Sequence, residues 1–577
     1  MNDVTQPLHF QLTAGTPNGI ARAQALATAN EIQVDPTSVI NYSSNGHVFI
    51  LGSEDAARQA ATELAKHASL VCTLILVDTE SNINKIKLEA IPGNTQVPVK
   101  TELSATIAGT VVAVKGYLGN FDLILQTEGE QKTLRDIVGV NLGRIDIILD
   151  LTRLHLVSSE VKPPGYFEVL EYETDLATAL REIPELVGDF EKPKFFNYDP
   201  EICAHSRSHI TACTRCIDSC PTSAISSLGD QISVDANLCQ GAGSCATACP
   251  TGAITYTYPQ LRDSLKRLHA MLSTYQRLGG KEAIILFHDA STGREIIELT
   301  SDQIPDNVIP VELEELGSVG MDSWFSCLAY GAGSVILLAT PQVPSAVTKE
   351  LKAQLSYARA MLKALGYPAN AIQLISDGDS SDFISSLATI PVRLDIPAAE
   401  FFDSNDKRKV IRAAVDHLYR YATAPKSLVS LPTGAPFGEV WVDETRCTLC
   451  MSCVWQCPGR ALIAGGNQPQ LKFVENDCVQ CGMCARTCPE DAIGPSPRYL
   501  FDKEKRTTPR VLYEEQPFLC IKCGKAFASL SVIEKMTAKL KQHAMFQGDA
   551  LQRIQMCEDC RVKDIYQAER NLHKENA

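Results

Sequence analysis

Two stretches of this chain repeat one cysteine spacing. They are Cys447-x2-Cys450-x2-Cys453-x3-Cys457-Pro458 and Cys478-x2-Cys481-x2-Cys484-x3-Cys488-Pro489. The pattern demands that each stretch wrap around a centre its thiols can share. It is the spacing of paired [4Fe–4S] cubanes, in which three close cysteines hold one cluster and the fourth crosses to its neighbour. Cys447, Cys450 and Cys453 would then be completed by Cys488, and Cys478, Cys481 and Cys484 by Cys457. Disulfides or buried free thiols are the bland alternative.

A second group lies upstream. It reads Cys203, then Cys213-x2-Cys216-x3-Cys220-Pro221, then Cys239-x5-Cys245-x3-Cys249-Pro250. The four Cys-Pro ends run on into Thr222-Ser-Ala-Ile225, Thr251-Gly-Ala-Ile254, Gly459-Arg-Ala-Leu462 and Glu490-Asp-Ala-Ile493, so four related half-modules form two units. The upstream unit departs twice from the pattern. Ile210 stands where its first cysteine is expected, and Cys203 is the nearest thiolate, with His205 and His209 as rival ligands. Ala242, within Gly241-Ala-Gly-Ser244, stands at the second cysteine position of the later half. Cys203, Cys213, Cys216 and Cys249 would hold one [4Fe–4S] cluster. Cys220, Cys239 and Cys245 are left to hold a [3Fe–4S] cluster, or a [4Fe–4S] cluster whose fourth iron takes water or an outside group, or nothing.

At the C-terminal end, Cys520-x2-Cys523 and Cys557-x2-Cys560 form two knuckles 33 residues apart. Two such turns close a tetrahedral four-thiolate site, for which zinc is the expected ion and rubredoxin-like iron the rival. The segment between them has helical composition, with Ile533, Met536 and Leu540 at helical spacing. In all, 19 of the 21 cysteines fall into ligand-like groups. Cys72 and Cys327 lie in apolar surroundings and read as core residues.

The net charge of −15 comes with no basic block, so nucleic acid and anionic membrane surfaces are not indicated as partners. No signal-peptide pattern and no membrane-length apolar run occurs, so a cytoplasmic location without membrane insertion is expected. In a reducing compartment, clustered CxxC spacings point to metal rather than disulfides.

Between the cysteine groups the pattern alternates strands and helices. Strands are read at 47–51, 70–77, 111–114, 121–125 and 145–149, with a helix over 54–67 and a hairpin turn at Gly116–Gly119. Pro163-Pro164-Gly165 reads as an exposed bend. Phe190, Phe195 and Phe196 read as anchors of the segment entering Cys203 rather than as cluster covers. A second block has a helix after Pro259, with Leu261, Leu265, Leu268, Leu272 and Tyr275 on one stripe. Strands at 283–287, 308–311, 334–338 and 372–375 and a helix over 345–365 argue for a small parallel sheet. Gly317 and Gly320 form neither GxGxxG nor a Walker loop. The expected organisation is multidomain, α/β and α+β: an α/β domain over 1–195, a degenerate dicluster module over 196–258 and an α/β domain over 259–423. A linker over 424–439, a dicluster module over 440–500 and a four-cysteine domain over 501–577 complete it.

The double cysteine runs resemble bacterial two-cluster ferredoxins, which implies a βαββαβ fold for each module. The stretches Val311-Glu-Leu-Glu-Glu-Leu-Gly-Ser-Val-Gly-Met-Asp322 and Ala329-Tyr-Gly-Ala-Gly-Ser-Val-Ile-Leu-Leu338 resemble the delta subunit of methyl-viologen-reducing hydrogenases, without that family's usual cysteines. Cys203-Ala-His-Ser-Arg-Ser-His209 and Cys557-Glu-Asp-Cys-Arg-Val-Lys563 are similar to stretches of large cytoplasmic ferredoxin-type proteins of proteobacteria, which implies a link to formate dehydrogenase. The function expected is electron relay between redox protein partners. The alternatives are an iron–sulfur subunit of an oxidoreductase, or an accessory, maturation or redox-sensing protein. No flavin, molybdenum or nucleophile pattern argues for an enzyme, no small-molecule substrate is indicated, and no catalytic residue is assigned.

Overall fold

A computed structural model describes residues 15–77, 85–91, 104–127, 129–139, 144–376, 380–387, 396–401, 403–466 and 468–575. The N-terminal sheet has six strands in the spatial order 166–168, 147–150, 47–52, 71–77, 85–91 and 104–108. The first four pair in parallel, and strand 85–91 runs antiparallel to both its neighbours, 71–77 and 104–108. The central strand His47–Gly52 carries an unbroken apolar run, Val48 to Leu51, because both its faces are covered. Val48 and Ile50 meet the helix Glu54–Leu64 on one side. Phe49 and Leu51 meet a three-stranded meander, Thr110–Tyr117, Asn120–Thr127 and Glu130–Thr133, on the other. The meander's first turn relies on Gly119, at φ +83°. Pro163-Pro164-Gly165 is a bend, but a largely buried one: a Cβ at Gly165 would lie 2.9 Å from Leu118.

Helix Pro17–Glu31 falls within the 1–195 block yet packs elsewhere. Its Ala21, Ala25 and Ala29 lie in the core of the second α/β domain, against helix Leu261–Arg277. Buried Arg22 fixes it there, donating to the carbonyls of Pro305 and Val308 at 3.0 and 3.2 Å and pairing with Asp306 at 3.1 Å. An alanine stripe carries little hydrophobic contrast, so sequence periodicity does not announce this contact.

The second α/β domain is a parallel four-stranded sheet in the order 308–313, 284–289, 334–338, 372–375. Helix Ser345–Leu365 ends at Gly366, which takes the left-handed conformation of a C-terminal cap. Cys72 and Cys327 are buried in apolar cores.

Segment 424–439 departs from the linker reading. Leu428–Ser430 pairs with Ile493–Leu500, and Leu431, Ala435 and Phe437 are buried with Tyr499 and Phe501. Its prolines and glycine shape a tight connection that joins the second α/β core to the downstream module. Both cysteine modules have βαββαβ order. The upstream one runs Phe196–Tyr198, Arg215–Asp218, Ile225–Leu228, Gln231–Val234, Ser244–Ala248, Ile254–Tyr256. The downstream one runs Gly438–Val442, Ser452–Trp455, Leu462–Ala464, Gln470–Phe473, Met483–Arg486, Ile493–Leu500. No described helix is long and apolar enough to cross a membrane.

Candidate metal centres

The downstream module brings its thiols together in two groups. Cys447, Cys450, Cys453 and Cys488 line one cavity, site IV. Cys457, Cys478, Cys481 and Cys484 line another, site III. Both loops use left-handed residues at matching places: Leu449 and Met451 in one, Gln480 and Gly482 in the other, at φ between 53° and 79°. Such turns aim backbone N–H groups at a shared point, the arrangement found around anionic clusters. Direct donors reach the sulfurs too. Ala492 N–H lies 3.3 Å from Cys488 Sγ, and Gln480 Nε2 lies 3.2 Å from Cys478 Sγ.

In the upstream module Cys203, Cys213, Cys216 and Cys249 line a single cavity, site I. The extra length between Cys203 and Cys213 folds into a small hairpin, Ser206–Arg207 paired with Ile210–Thr211. Its turn residues Ser208 and His209 have positive φ, and their N–H groups are held by the Asp230 carboxylate at 3.0 and 2.9 Å. The hairpin places Cys203 at the cavity despite Ile210. His205 also lines this cavity, but both ring nitrogens are engaged, with Cys213 O and Ser227 Oγ, each at 2.8 Å. His209 is exposed at the hairpin tip.

Cys220, Cys239 and Cys245 form site II. Gly241 and Gly243, at φ +81° and +75°, repeat the left-handed positions of sites III and IV. The loop geometry is therefore retained around Ala242, and only the sulfur is missing. This loop is clamped from outside. A Cβ at Gly317 would lie 2.2 Å from Ala242 O, and one at Gly243 would lie 2.5 Å from Ser318 Cα. Phe195 lies against Gly241, and Phe196 packs with Cys216 and Cys249, while Phe190 joins the N-terminal core. Two of the three aromatics thus cover the cysteine sites, which nothing in their spacing announced.

The sites form a series. Burial raises the thiol pKa of Cys245, Cys481 and Cys484, and sulfurs nearby add to it: Cys239 and Cys216 at Cys245, Cys213 at Cys481 and Cys453 at Cys484. Sites II, I, III and IV are thus electrostatic neighbours in that order. Burial first, and repulsion from neighbouring sulfurs with it, pushes Cys216, Cys453 and Cys481 up to about 12. Bare thiolates are costly in such cages, and bound iron would reverse that, since metal ligation deprotonates thiols. The donor set fits iron–sulfur clusters.

Cys520, Cys523, Cys557 and Cys560 bring their sulfurs within 4.8 Å of one another. A hairpin, Pro517–Leu519 with Ala526–Ser529, presents the first pair, and Cys560 lies in the first turn of helix Glu558–Glu575. Of the intervening apolar stripe, Ile533 is buried and Met536 exposed. The hairpin is joined to site IV's loop by Ser529 Oγ, which donates to Thr448 O at 2.8 Å.

A family model described as "4Fe-4S binding domain" matches residues 232–255, 440–463 and 471–494. These are the three half-modules with the left-handed loop pair. The first half, where Ile210 replaces cysteine, is not matched. Three stretches of the chain thus match the model of a 4Fe-4S binding domain, in the two modules whose thiols form the cages. The chain is 29% identical over 94 residues to "Ferredoxin-type protein NapF" of Escherichia coli K12, a stretch covering 16% of this chain and 57% of that protein. It is 34% identical over 64 residues to "Pyruvate synthase subunit PorD" of Thermotoga maritima, covering 11% of this chain and 64% of that one. The chain thus spans a little over half the length of the first of these relatives.

Proposed function

We propose that this chain is an electron relay, with [4Fe–4S] clusters at sites I, III and IV and a three-thiolate cluster, [3Fe–4S] or incompletely ligated [4Fe–4S], at site II. A bound cluster supplies a one-electron redox centre, and the protein sets its potential through ligands, burial and hydrogen bonds. The observation that carries the reading is the gathering of the cysteines into separate cavities in two adjoining modules, with Cys213 of site I near enough to Cys481 of site III to act on it electrostatically. The boundary between the modules is braced by Arg486, donating to Thr211 O at 2.7 Å, and by Gln456, donating to Ser208 Oγ at 2.9 Å. The two ends of the series differ. Site II is covered by the second α/β domain. Site IV opens to solvent at Cys450, and Trp455, five residues on in the chain, is 78% exposed. This suits exchange with a docked protein partner at site IV.

The four-cysteine site at 520–560 is assigned to structural zinc, pinning the tail over site IV. The resemblance of residues 311–338 to a hydrogenase delta subunit supports a docking role for the second α/β domain. A formate dehydrogenase, implied by the likeness to large proteobacterial ferredoxin-type proteins, is the partner proposed for a first test. Anaerobic co-purification at native expression, with iron and zinc counted in the isolated complex, tests the reading. Reduced chain that passes electrons to the co-purified partner without being consumed supports it. Turnover of a substrate by the chain alone, or donation of its clusters to an apo-protein, overturns it.

A further inference from the structure

A cavity of about 380 Å³ lies where the second α/β domain meets the upstream module, within the size range of small-molecule sites. Helix Leu261–Arg277 forms one wall. The C-terminal ends of strands Ile284–Asp289 and Val308–Leu313, where open α/β sheets bind their ligands, form another. A third wall is Ala246 and Thr247, on the short helix that carries Cys245 to site II. Leu268, Met271, Phe287, Val311 and Val319 make much of the lining apolar.

Two sets of observations select a ligand. Two solvent-shielded polar atoms of lining residues, Tyr256 Oη and Glu312 Oε2, have no hydrogen-bond partner among the described residues. The other Glu312 oxygen pairs with Arg294. Leaving a shielded polar atom unpaired costs about 1–3 kcal/mol. One of these two atoms is a hydroxyl that can donate, and the other a carboxylate oxygen that can only accept.

The electrostatics exclude an anion. Glu312, Glu314 and Asp322 line the cavity, while its cations are committed elsewhere. Arg267 donates to Ile32 O at 3.1 and 3.2 Å, and Lys407 to Ala246 O and Cys249 O at 2.9 and 3.2 Å. The glycine-bearing segment 317–320 offers no phosphate cradle. Ser318 N–H bonds Glu315 O at 3.1 Å and Gly320 N–H bonds the Asp322 carboxylate at 3.3 Å. Nucleotides and phosphorylated flavins therefore fit poorly.

We propose that this cavity binds an uncharged aromatic carbonyl compound of the quinone class. Its ring packs among the apolar side chains, a quinone carbonyl accepts from the Tyr256 hydroxyl, and a quinol hydroxyl donates to Glu312. Such a ring would lie one helix away from site II. The binding claim stands independently of electron flow through the cysteine sites.

The test is anaerobic titration calorimetry of the full chain with duroquinone, whose methylated ring resists thiol addition, with iron counted in the same samples. One saturable site per chain is expected. Tyr256→Phe should weaken it about five- to tenfold, the worth of one net hydrogen bond. Ser264→Trp, which thrusts bulk in from the helical wall, should abolish it, and Val311→Phe does the same from the sheet side should the first variant fold poorly. Flavin mononucleotide should show no saturable binding. Absence of saturable duroquinone binding to the unaltered chain, equal binding by the blocked variants, or competition by flavin mononucleotide overturns the proposal. Loss of iron without loss of binding would instead count against the relay alone.

Discussion

Arg408 donates from Nη2 to the carbonyl of Cys478, in site III, at 2.8 Å. Its Nη1 holds Pro250, next to site I's Cys249, at 2.9 Å, and Pro436 at 3.0 Å. One buried side chain thus clasps both modules. Its neighbour Lys407, equally buried, bonds the carbonyls of Ala246, Thr247 and Cys249. Neither makes an ion pair within 4 Å among the described residues; burial lowers the pKa of both, and Asp322 is near enough to favour the charged form of Lys407. In their charged forms they place positive charge beside sites I and III. A unit charge about 8 Å away is worth roughly 2 kcal/mol at an effective dielectric of about 20, or about 90 mV for one electron. Each added electron is negative, so these cations favour reduction. Arg408→Met and Lys407→Met should each move the potential of a site I or site III cluster to more negative values, by tens of millivolts. Arg408→Lys should restore most of the difference. Redox titration followed by EPR reads the shift, and unaltered potentials in the methionine variants would sink the idea.

At site I the choice between Cys203 and His205 is testable directly. Cys203→Ser should lose the fourth thiolate, converting or emptying the cluster, with a fall in bound iron of about one to four atoms per chain. His205→Ala should keep the iron, because both ring nitrogens bond protein atoms. It should instead loosen the hairpin after Cys203 and lower thermal stability by about 1–2 kcal/mol. Iron loss in the histidine variant with retention in the serine variant would reverse the assignment.

Much of this arrangement is legible in the chain because thiolate spacing is a local geometric demand. Cys447 to Cys488 need only their own loops to form two cages. Strands such as His47–Gly52 and Ser334–Leu338 are legible for a similar reason, as short apolar runs bounded by turns. What escapes is long-range. The Ala21–Ala25–Ala29 stripe gives no periodic contrast until Leu265 and Leu268 lie against it. Segment 424–439 carries the prolines of a linker but is held by partners some 70 residues away in sequence, Tyr499 and Arg498. Gly317 and Gly320 resemble fragments of a phosphate loop. A Cβ at Gly317 would clash with Ala242 O at 2.2 Å, and one at Gly320 would sit tightly against Thr247 at 3.0 Å. Arg408 and Lys407 look like ordinary helix-surface cations until the two modules close over them.

Ala242 offers a gain-of-ligand test. The loop around it already has the left-handed turns of the fully ligated sites, at Gly241 and Gly243. Ala242→Cys should therefore complete a four-thiolate cage without rebuilding the backbone. The oxidised unaltered chain is expected to show the EPR signal of a three-iron centre, and the variant to lose it with a gain of about one iron per chain. A variant that leaves signal and iron count unchanged would show that site II is not built from Cys220, Cys239 and Cys245.

Zinc at Cys520, Cys523, Cys557 and Cys560 should be separable from the clusters. Their sulfurs lie within 4.8 Å of one another, close enough for one tetrahedral ion. Paired substitution Cys557→Ser and Cys560→Ser should remove about one zinc per chain and leave cluster absorption in place. Helix Glu558–Glu575, no longer tethered, should become the first site of proteolysis. Loss of iron rather than zinc would identify the site as rubredoxin-like.

Glu315 gives the chain a pH dependence of known sign. Burial, and then the carboxylates of Asp289 and Glu314, raise its carboxyl to about 7 from an ordinary value near 4.5. The folded state thus holds a proton that the unfolded chain releases. This residue adds no penalty below about pH 4.5, and it costs stability progressively as pH rises through the window up to about 7. The ceiling is about 3 kcal/mol, reduced by partial exposure. Glu315→Gln, which keeps the shape and removes the titration, should match the unaltered chain near pH 5 and exceed it in thermal midpoint at pH 8. Because Glu315 immediately precedes the Leu316–Ser318 turn that clamps the Ala242 loop, the same variant should make site II less prone to lose iron at alkaline pH. A midpoint difference that is flat between pH 5 and 8 would show that this carboxyl titrates normally.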